Sequence, residues 1–159
     1  CLRREISQSF AARRPLTVMI FDIDDFKQYN DRFGHDAGDE IIREVVRLLQ
    51  ATIRKGDHVC RIGGDEFAVL FCDPEPPREA GSNHPTTVEF LAKRFKDQVA
   101  RAHFSKLGKD AQGLVSISGG LATFPWDGTE VDTLLRKADE RLFESKRHGK
   151  NTITLGQDS

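Results

Sequence analysis

Apolar residues recur along this chain with two periods, and the alternation of those periods sketches a sheet covered by helices. Residues 2–12 carry Leu2, Ile6 and Phe10 at four-residue spacing and read as a helix. Thr17-Val18-Met19-Ile20-Phe21 follows Pro15 as a short, nearly continuous apolar run, the pattern of a strand buried on both faces. Residues 24–30 read as a short helix. Asp36 to Arg54 forms a longer one, with Ile41, Ile42, Val45, Val46, Leu49 and Ile53 on one face, Asp36 suited to its N-cap and Gly56 ending it. Val59-Cys60 and Phe67-Ala68-Val69-Leu70-Phe71 flank a glycine pair, which predicts a β-hairpin. Residues 73–86 hold four prolines and read as a long loop. Beyond it, residues 87–103 predict a helix, Val115 to Ala122 a strand, residues 129–147 a helix and Thr152 to Leu155 a closing strand. From the first strand the order is βααββαβαβ, a central sheet with helices available to cover it.

Composition narrows this picture. A length of 159 residues with 38% hydrophobic content suits one domain with a real core. The 24 basic and 25 acidic residues nearly cancel, so no global basic excess points to a nucleic-acid polymer or a membrane surface. A polyanionic substrate would have to be held locally, by a metal or by a few Lys and Arg. Cys1, Cys60 and Cys72 are odd in number and lack CxxC spacing, which argues against a disulfide framework or a thiolate zinc site. The five histidines form no ligand pattern. A reducing, cytoplasmic compartment is expected, and no apolar run approaches the length of a membrane span.

The candidate chemistry sits in the hairpin turn, Arg61-Ile62-Gly63-Gly64-Asp65-Glu66-Phe67. Glycines free the backbone and let a ligand approach it. A turn needs polarity but not two adjacent carboxylates, so Asp65 and Glu66 suggest a cation or a proton-transfer role. Asp22 ends the buried first strand, within Asp22-Ile23-Asp24-Asp25. If the two strands are neighbours, Asp22 and Asp65 converge. Hard oxygen ligands beside phosphates are the usual setting of Mg²⁺. Two metals on two acids would bridge phosphate oxygens and activate a hydroxyl.

These residues carry a resemblance. Gly63-Gly64-Asp65-Glu66-Phe67 matches the signature of the GGDEF family, the diguanylate cyclases. Phe21 to Asp31 resembles that family's first strand and helix, Phe33 to Asp39 its next segment, and Ala138-Asp139 through Lys146, Gly149, Lys150 and Asn151 its closing motif. Order and spacing agree over residues 16–152. The resemblance implies a nucleotide-cyclase or polymerase-palm-like fold, α/β in class, with a central five-stranded, mostly antiparallel sheet. It implies condensation of two GTP into cyclic di-GMP with release of two pyrophosphates.

By position, the resemblance assigns Asp22, Asp65 and the carbonyl of Ile23 to two Mg²⁺ or Mn²⁺ ions. It assigns guanine to Asn30 and Asp39, and phosphates to Lys27 and Lys146, with main-chain help from Phe26 and Ile23. Gly63 and Gly64 would make room for the nucleotide. Glu66 would be essential, with either it or Asp65 assisting deprotonation of the 3′-hydroxyl. Lys150 stands where the family usually has Arg, which keeps the charge but loses the bidentate fork. Arg54-Lys55-Gly56-Asp57 fits the family's RxxD product-inhibition motif. The bare pattern occurs at three places (Arg54–Asp57, Arg94–Asp97 and Arg136–Asp139), and only the first stands just before Gly63 where the family has it. Arg94 aligns with a secondary inhibitory arginine.

Three further expectations follow from the resemblance. The chain starts past the family's D-x-L-T-G-L-x-N-R stretch, so a fragment of a longer sensor protein with an upstream regulatory domain is expected. The reaction joins two GTP while one domain binds one, so a two-fold homodimer is expected. Gly119 replaces a β-branched residue and is expected to loosen the core. The competing reading is a catalytically silent module that binds cyclic di-GMP or GTP as a receptor.

Overall fold

The computed structural model describes residues 2–11, 15–72, 86–104, 107 and 115–156. The expected Pro-rich loop lies almost entirely outside the described residues. Ten elements follow in chain order: α1 (Leu2–Ala11), β1 (Leu16–Ile23), α2 (Phe26–Phe33), α3 (His35–Thr52), β2 (His58–Arg61), β3 (Glu66–Cys72), α4 (Thr86–Arg101), β4 (Ile117–Phe124), α5 (Val131–Arg147) and β5 (Ile153–Thr154).

Every residue of β1 is buried, which is why its sequence runs apolar without alternation. It is the central strand of a five-stranded sheet ordered β2-β3-β1-β4-β5. β3 and β4 flank it antiparallel, β2 closes one edge antiparallel to β3, and β5 closes the other edge parallel to β4. Successive side chains of β1 point to opposite faces, so the strand builds two cores. Met19, Phe21 and Ile23 meet Ile41, Val45 and Leu49 of α3 and Val88, Ala92, Phe95 and Val99 of α4. Phe21 stacks on Phe67 with ring centroids 5.2 Å apart and meets Phe95 edge-on at the same distance. Leu16, Val18 and Ile20 meet Ile6 of α1 and Leu134, Ala138 and Leu142 of α5. Burying each such aliphatic or aromatic side chain contributes about 1.5–3 kcal/mol against water.

Glycines in β4 set how closely this sandwich packs. A Cβ on Gly120 would lie 2.2 Å from the Ala138 carbonyl oxygen and 2.5 Å from the Leu142 nitrogen. The strand and α5 therefore touch backbone to backbone. Gly119 leaves no void, contrary to the loosening expected of it. A Cβ there would meet Phe21 Cβ at 3.1 Å and Ile153 Cγ1 at 3.6 Å, so the flanking strands have closed over the gap.

Several boundaries differ from the sequence reading. α3 starts at His35 with Gly34 (φ 90°) as its N-cap, and Asp36 falls inside the first turn. Gly34 supplies a left-handed φ that lets α3 start one residue after α2 stops. The helix ends at Thr52, with Gly56 (φ 97°) in the turn beyond it. Among the described residues no helix is long and apolar enough to cross a membrane.

Candidate active site

The carboxyl end of β1 is where the two chain segments singled out above meet. Asp22 pairs in register with Glu66 across β1 and β3, and with Ser118 across β1 and β4. The Ile23 N–H donates to the Asp65 carbonyl at 3.2 Å, which pins the hairpin turn to the strand end. The turn is closed from its own side. Arg61 Nε donates to the Gly63 carbonyl at 3.1 Å, and Arg61 Nη2 donates to the Gly64 carbonyl at 2.5 Å. Asp65 and Glu66 are half-buried there.

An open cleft of about 360 Å³ lies over this junction. Of the expected site residues, Asp22, Ile23, Phe26, Lys27, Asp65, Lys146 and Lys150 line it. Glu66, Gly63 and Gly64 belong to the adjoining turn and are not part of its wall. Asn30 and Asp39 also lie outside that wall, on neighbouring α2 and near the start of α3. Asn30 stands one helical turn beyond Phe26 and Lys27 and so shares their face. Its amide is seated against Gly38, where a Cβ would fall 1.8 Å from Asn30 Oδ1. Gly38 thus makes the space that holds the Asn30 amide at the start of α3, next to Asp39.

Asp22 is the unusual group. Its residue is 8% exposed. Lys146, from the last turn of α5, forms an ion pair with its Oδ2. Its Oδ1 is the one buried side-chain polar atom among the described residues without a hydrogen-bond partner. An orphaned carboxylate oxygen costs about 1–3 kcal/mol and calls for a ligand. Burial raises the Asp22 pKa to about 6; the Lys146 hydrogen bond opposes the rise, while the charges of Asp65 and Asp24 add to it. Glu66 is also raised, first by burial and then by Asp139, with Lys146 opposing. Burial disfavours the charge on Lys146, but the bond to Asp22 and the field of Asp65 and Asp24 outweigh it and raise its pKa. A hard divalent cation fits this donor set, since it would satisfy the orphaned oxygen and neutralise crowded acids. No cluster of three or more His, Cys, Asp or Glu side chains is already drawn together for a metal among the described residues. The acids Asp22 and Asp65, with the main chain at Ile23, are the groups able to hold one.

A raised pKa in the folded state has a definite sign. In the metal-free protein the Asp22 contribution to stability is fully present below the unfolded carboxyl value, near 3.8, and is lost as pH rises through about 6. A cation takes the ionised form, so Mg²⁺ should stabilise the fold more as pH rises through the same window. The rise in melting temperature on adding Mg²⁺ is expected to grow from pH 5 to pH 7.5 with a midpoint near 6. A shift independent of pH would detach Asp22 from the cation.

Two residues not singled out individually in the sequence frame the cleft. Asp24 is 5% exposed. Its Oδ1 accepts from Ser118 Oγ at 2.6 Å, and its Oδ2 accepts from Ser116 Oγ at 2.6 Å and the Asn151 N–H at 3.0 Å. It is a clamp with its acceptors engaged. Asp25 adopts a left-handed backbone (φ 56°) at the N-cap of α2 and accepts from Lys150 Nζ at 2.5 Å. The Asp22-Ile23-Asp24-Asp25 run was the available signal, but it cannot say which acid faces solvent and which faces serines.

The expected second site is built around the Asp57 carboxylate. The Asp57 side chain has no exposed surface, while Arg54 keeps 39%. Asp57 Oδ2 accepts from the Arg54 N–H at 2.8 Å, and Oδ1 accepts from the Cys72 N–H at 3.0 Å. The Arg54 guanidinium stands 3.6 Å from the same carboxylate. Asp57 closes a turn and joins it to the end of β3. Arg94 is exposed on α4. Replacing Asp57 by alanine would strand two backbone donors, and about 1–3 kcal/mol of stability is expected to go with it, read by denaturant titration.

With this geometry in place, the chain compares closely with known proteins. A family model described as "Diguanylate cyclase, GGDEF domain" matches residues 1–152. Diguanylate cyclase DosC of Escherichia coli K12 is 34% identical over 153 residues, covering 96% of this chain and 31% of that protein. Response regulator PleD of Caulobacter vibrioides is 32% identical over 139 residues, covering 87% and 29%. The chain spans about a third of the length of such curated relatives. The solved active GGEEF domain of a diguanylate cyclase from Vibrio cholerae superposes with a TM-score of 0.80 at 26% identity, covering 99% of this chain and 93% of that one. The GGDEF domain of DgcB from Caulobacter crescentus, solved in complex with c-di-GMP, gives 0.76 at 26% identity, covering 97% and 85%.

Proposed function

This chain belongs to the GGDEF family of diguanylate cyclase domains, and from that membership we propose that it condenses two GTP into cyclic di-GMP. The observation that supports this most directly is the unaltered Gly63-Gly64-Asp65-Glu66-Phe67 turn, hydrogen-bonded to a strand end where buried Asp22 keeps one carboxylate oxygen unsatisfied.

In the proposed reaction each 3′-hydroxyl oxygen bonds to the α-phosphorus of the other GTP. The bond from that phosphorus to the bridging oxygen breaks, pyrophosphate leaves, and the hydroxyl proton passes to a base. Asp22, Asp65 and the Ile23 carbonyl would hold Mg²⁺ or Mn²⁺, two per site. The bound ions would neutralise phosphate charge and lower the pKa of the attacking hydroxyl. Lys27, Lys146 and Lys150, which line the cleft, would contact the phosphates. Asp39 accepts from the guanine N1–H and 2-amino edge, and Asn30 complements it. Adenine lacks those donors and would leave both groups unpaired, which selects GTP over ATP. Glu66, raised by burial, is poised with Asp65 to receive the proton.

A single cleft holds one GTP, so the competent species is a two-fold homodimer with the reacting atoms across its interface. An upstream sensory domain would set how often two domains meet by raising their effective concentration. Incubation of concentrated, dimeric protein with GTP and Mg²⁺ is expected to yield cyclic di-GMP by chromatography, and Asp65→Ala is expected to remove that product. A dimeric sample that binds cyclic di-GMP but forms none would instead identify a receptor module.

Cyclic di-GMP is proposed also to bind at Arg54 and Arg94 and to inhibit. Arg54 is the reader, using its planar fork on guanine or phosphate, and Asp57 holds it in place. Calorimetry with Arg54→Ala should show product affinity about 100-fold weaker, the order expected of a charge-assisted anchor. Unchanged binding would exclude the site.

A further inference from the structure

Two of the three lysines proposed for phosphate, Lys146 and Lys150, are already engaged, each by an acid at the mouth of the same cleft. Lys146 forms its ion pair with Asp22, and Lys150 Nζ donates to Asp25 Oδ1 at 2.5 Å. The two pairs are not equivalent. Asp25 is exposed, and its partner Lys150 lies on the turn after α5 with 43% of its side chain in solvent. The Asp22 side chain is 12% exposed and keeps a buried oxygen without a partner. Lys146 is therefore the cation that makes an ionised Asp22 tolerable there, because a buried carboxylate stripped of its counter-charge is costly.

We propose that Lys146 is an exchangeable counter-ion. It holds the Asp22 carboxylate until a divalent cation replaces it, and the replacement releases Lys146 to meet the incoming phosphates. This rests on the reading of Asp22 as a metal ligand and adds a coupling that the reading alone does not contain.

The consequences differ for each ligand taken separately. A cation arriving alone at the orphaned Oδ1 sets its double charge beside the Lys146 ammonium on Oδ2 of the same carboxylate, and binds well only as that ammonium is pushed away without a new partner. A triphosphate arriving alone must draw Lys146 away and leave Asp22 charged and unpaired. Arriving together, they satisfy both groups. Lys146 thereby penalises each half-occupied state, and by reciprocity of linkage each ligand improves the site for the other. The geometry allows the move. Lys146 sits in the last turn of α5 with 41% of its side chain exposed, on a long stem that can turn from the carboxylate toward the open cleft. No backbone rearrangement is required.

The test uses Mn²⁺ alone, with no nucleotide, on the intact protein, read by electron paramagnetic resonance of the free ion. Lys146→Met is expected to bind Mn²⁺ about 10-fold more tightly than the wild type, within the span of ordinary site-to-site coupling. Lys146→Gln should behave the same way and serves if the first variant folds poorly. Lys150→Met removes the same unit of charge from the same cleft without touching Asp22, and is expected to change Mn²⁺ affinity much less. Equal tightening by Lys146→Met and Lys150→Met would show a general charge effect and overturn the exchange, as would unchanged or weaker binding in Lys146→Met. Mn²⁺ binding in the wild type that is lost in Asp22→Asn supports the metal site independently. Absence of Mn²⁺ binding in every variant overturns the site and the exchange together.

Discussion

Asp22→Asn is expected to cut cyclic di-GMP formation by at least about 10³-fold while leaving the metal-free protein as stable as before, or more stable, at pH 7. In the proposed reaction the loss follows from removing a charged metal ligand where phosphate charge would be neutralised in the transition state; a single well-placed electrostatic contact is worth about 10²–10³-fold, and a metal ligand more. The gain follows from what the carboxylate costs. Its folded pKa of about 6 lies above the ordinary value, so at neutral pH the charged form is held against its preference. Asparagine has the same shape and no charge, and Lys146 can turn to solvent. The melting-temperature difference between variant and wild type should shrink as pH falls toward 4, where wild-type Asp22 is protonated. A variant that is both inactive and strongly destabilised at neutral pH would mean that Asp22 serves the fold, not the cation. A site residue whose removal stabilises the fold is the mark of a group kept for function.

Gly120→Ala should be the most damaging glycine-to-alanine change among the described residues, costing about 3 kcal/mol, the upper end of ordinary overpacking. The added carbon would lie 2.2 Å from one backbone atom of α5 and 2.5 Å from another. Neither is a flexible side-chain end, so the whole helix must retreat. At roughly 2–4 °C per kcal/mol for a chain of this size, the melting temperature should fall by around 10 °C. The same retreat would carry Lys146 away from Asp22. Gly119→Ala is a useful contrast, because its nearest contacts are looser, 3.1 Å to Phe21 Cβ and 3.3 Å to the Ile20 carbonyl oxygen. Equal effects at the two positions would contradict the close approach of β4 and α5.

The sheet and its covering helices were legible because their apolar spacing is long and regular. The uninterrupted β1 run, the α3 stripe from Ile41 to Ile53 and the glycine-centred hairpin each specify one element with little competition. Helix starts were less legible. Asp36 has the right chemistry for an N-cap, yet Gly34 takes the position because only a left-handed φ lets α3 leave α2 so abruptly. At the site, the identities of Asp22 and Asp65 could be read, but not their partners. Asp22, Asp24 and Asp25 are three carboxylates within four residues; one is paired with Lys146, one is consumed by two hydroxyls and an amide, and one meets Lys150. Those partners come from β4 and the residue before it, from α5 and from the turn after it, far along the chain. The partners of Asp57 were hidden for a similar reason. A motif names its residues without saying that one carboxylate has both oxygens spent on the backbone.

The Asp24 clamp also sets a schedule for how this domain is made. It joins the end of the first strand to serines 92 and 94 residues later and to an amide 127 residues later. A chain emerging from the ribosome therefore displays β1, α2 and α3 long before the clamp can close. Contacts of such separation form late, because loop-closure entropy must be met first. Lys146 and Asn151 follow the GGDEF hairpin by about 80 residues, so a nascent chain that has not yet reached them has the hairpin without the ion pair and clamp that complete the cleft. Such a chain would carry the signature in full and still lack the Asp24 clamp and the Asp22–Lys146 pair, so the motif alone does not make the cleft.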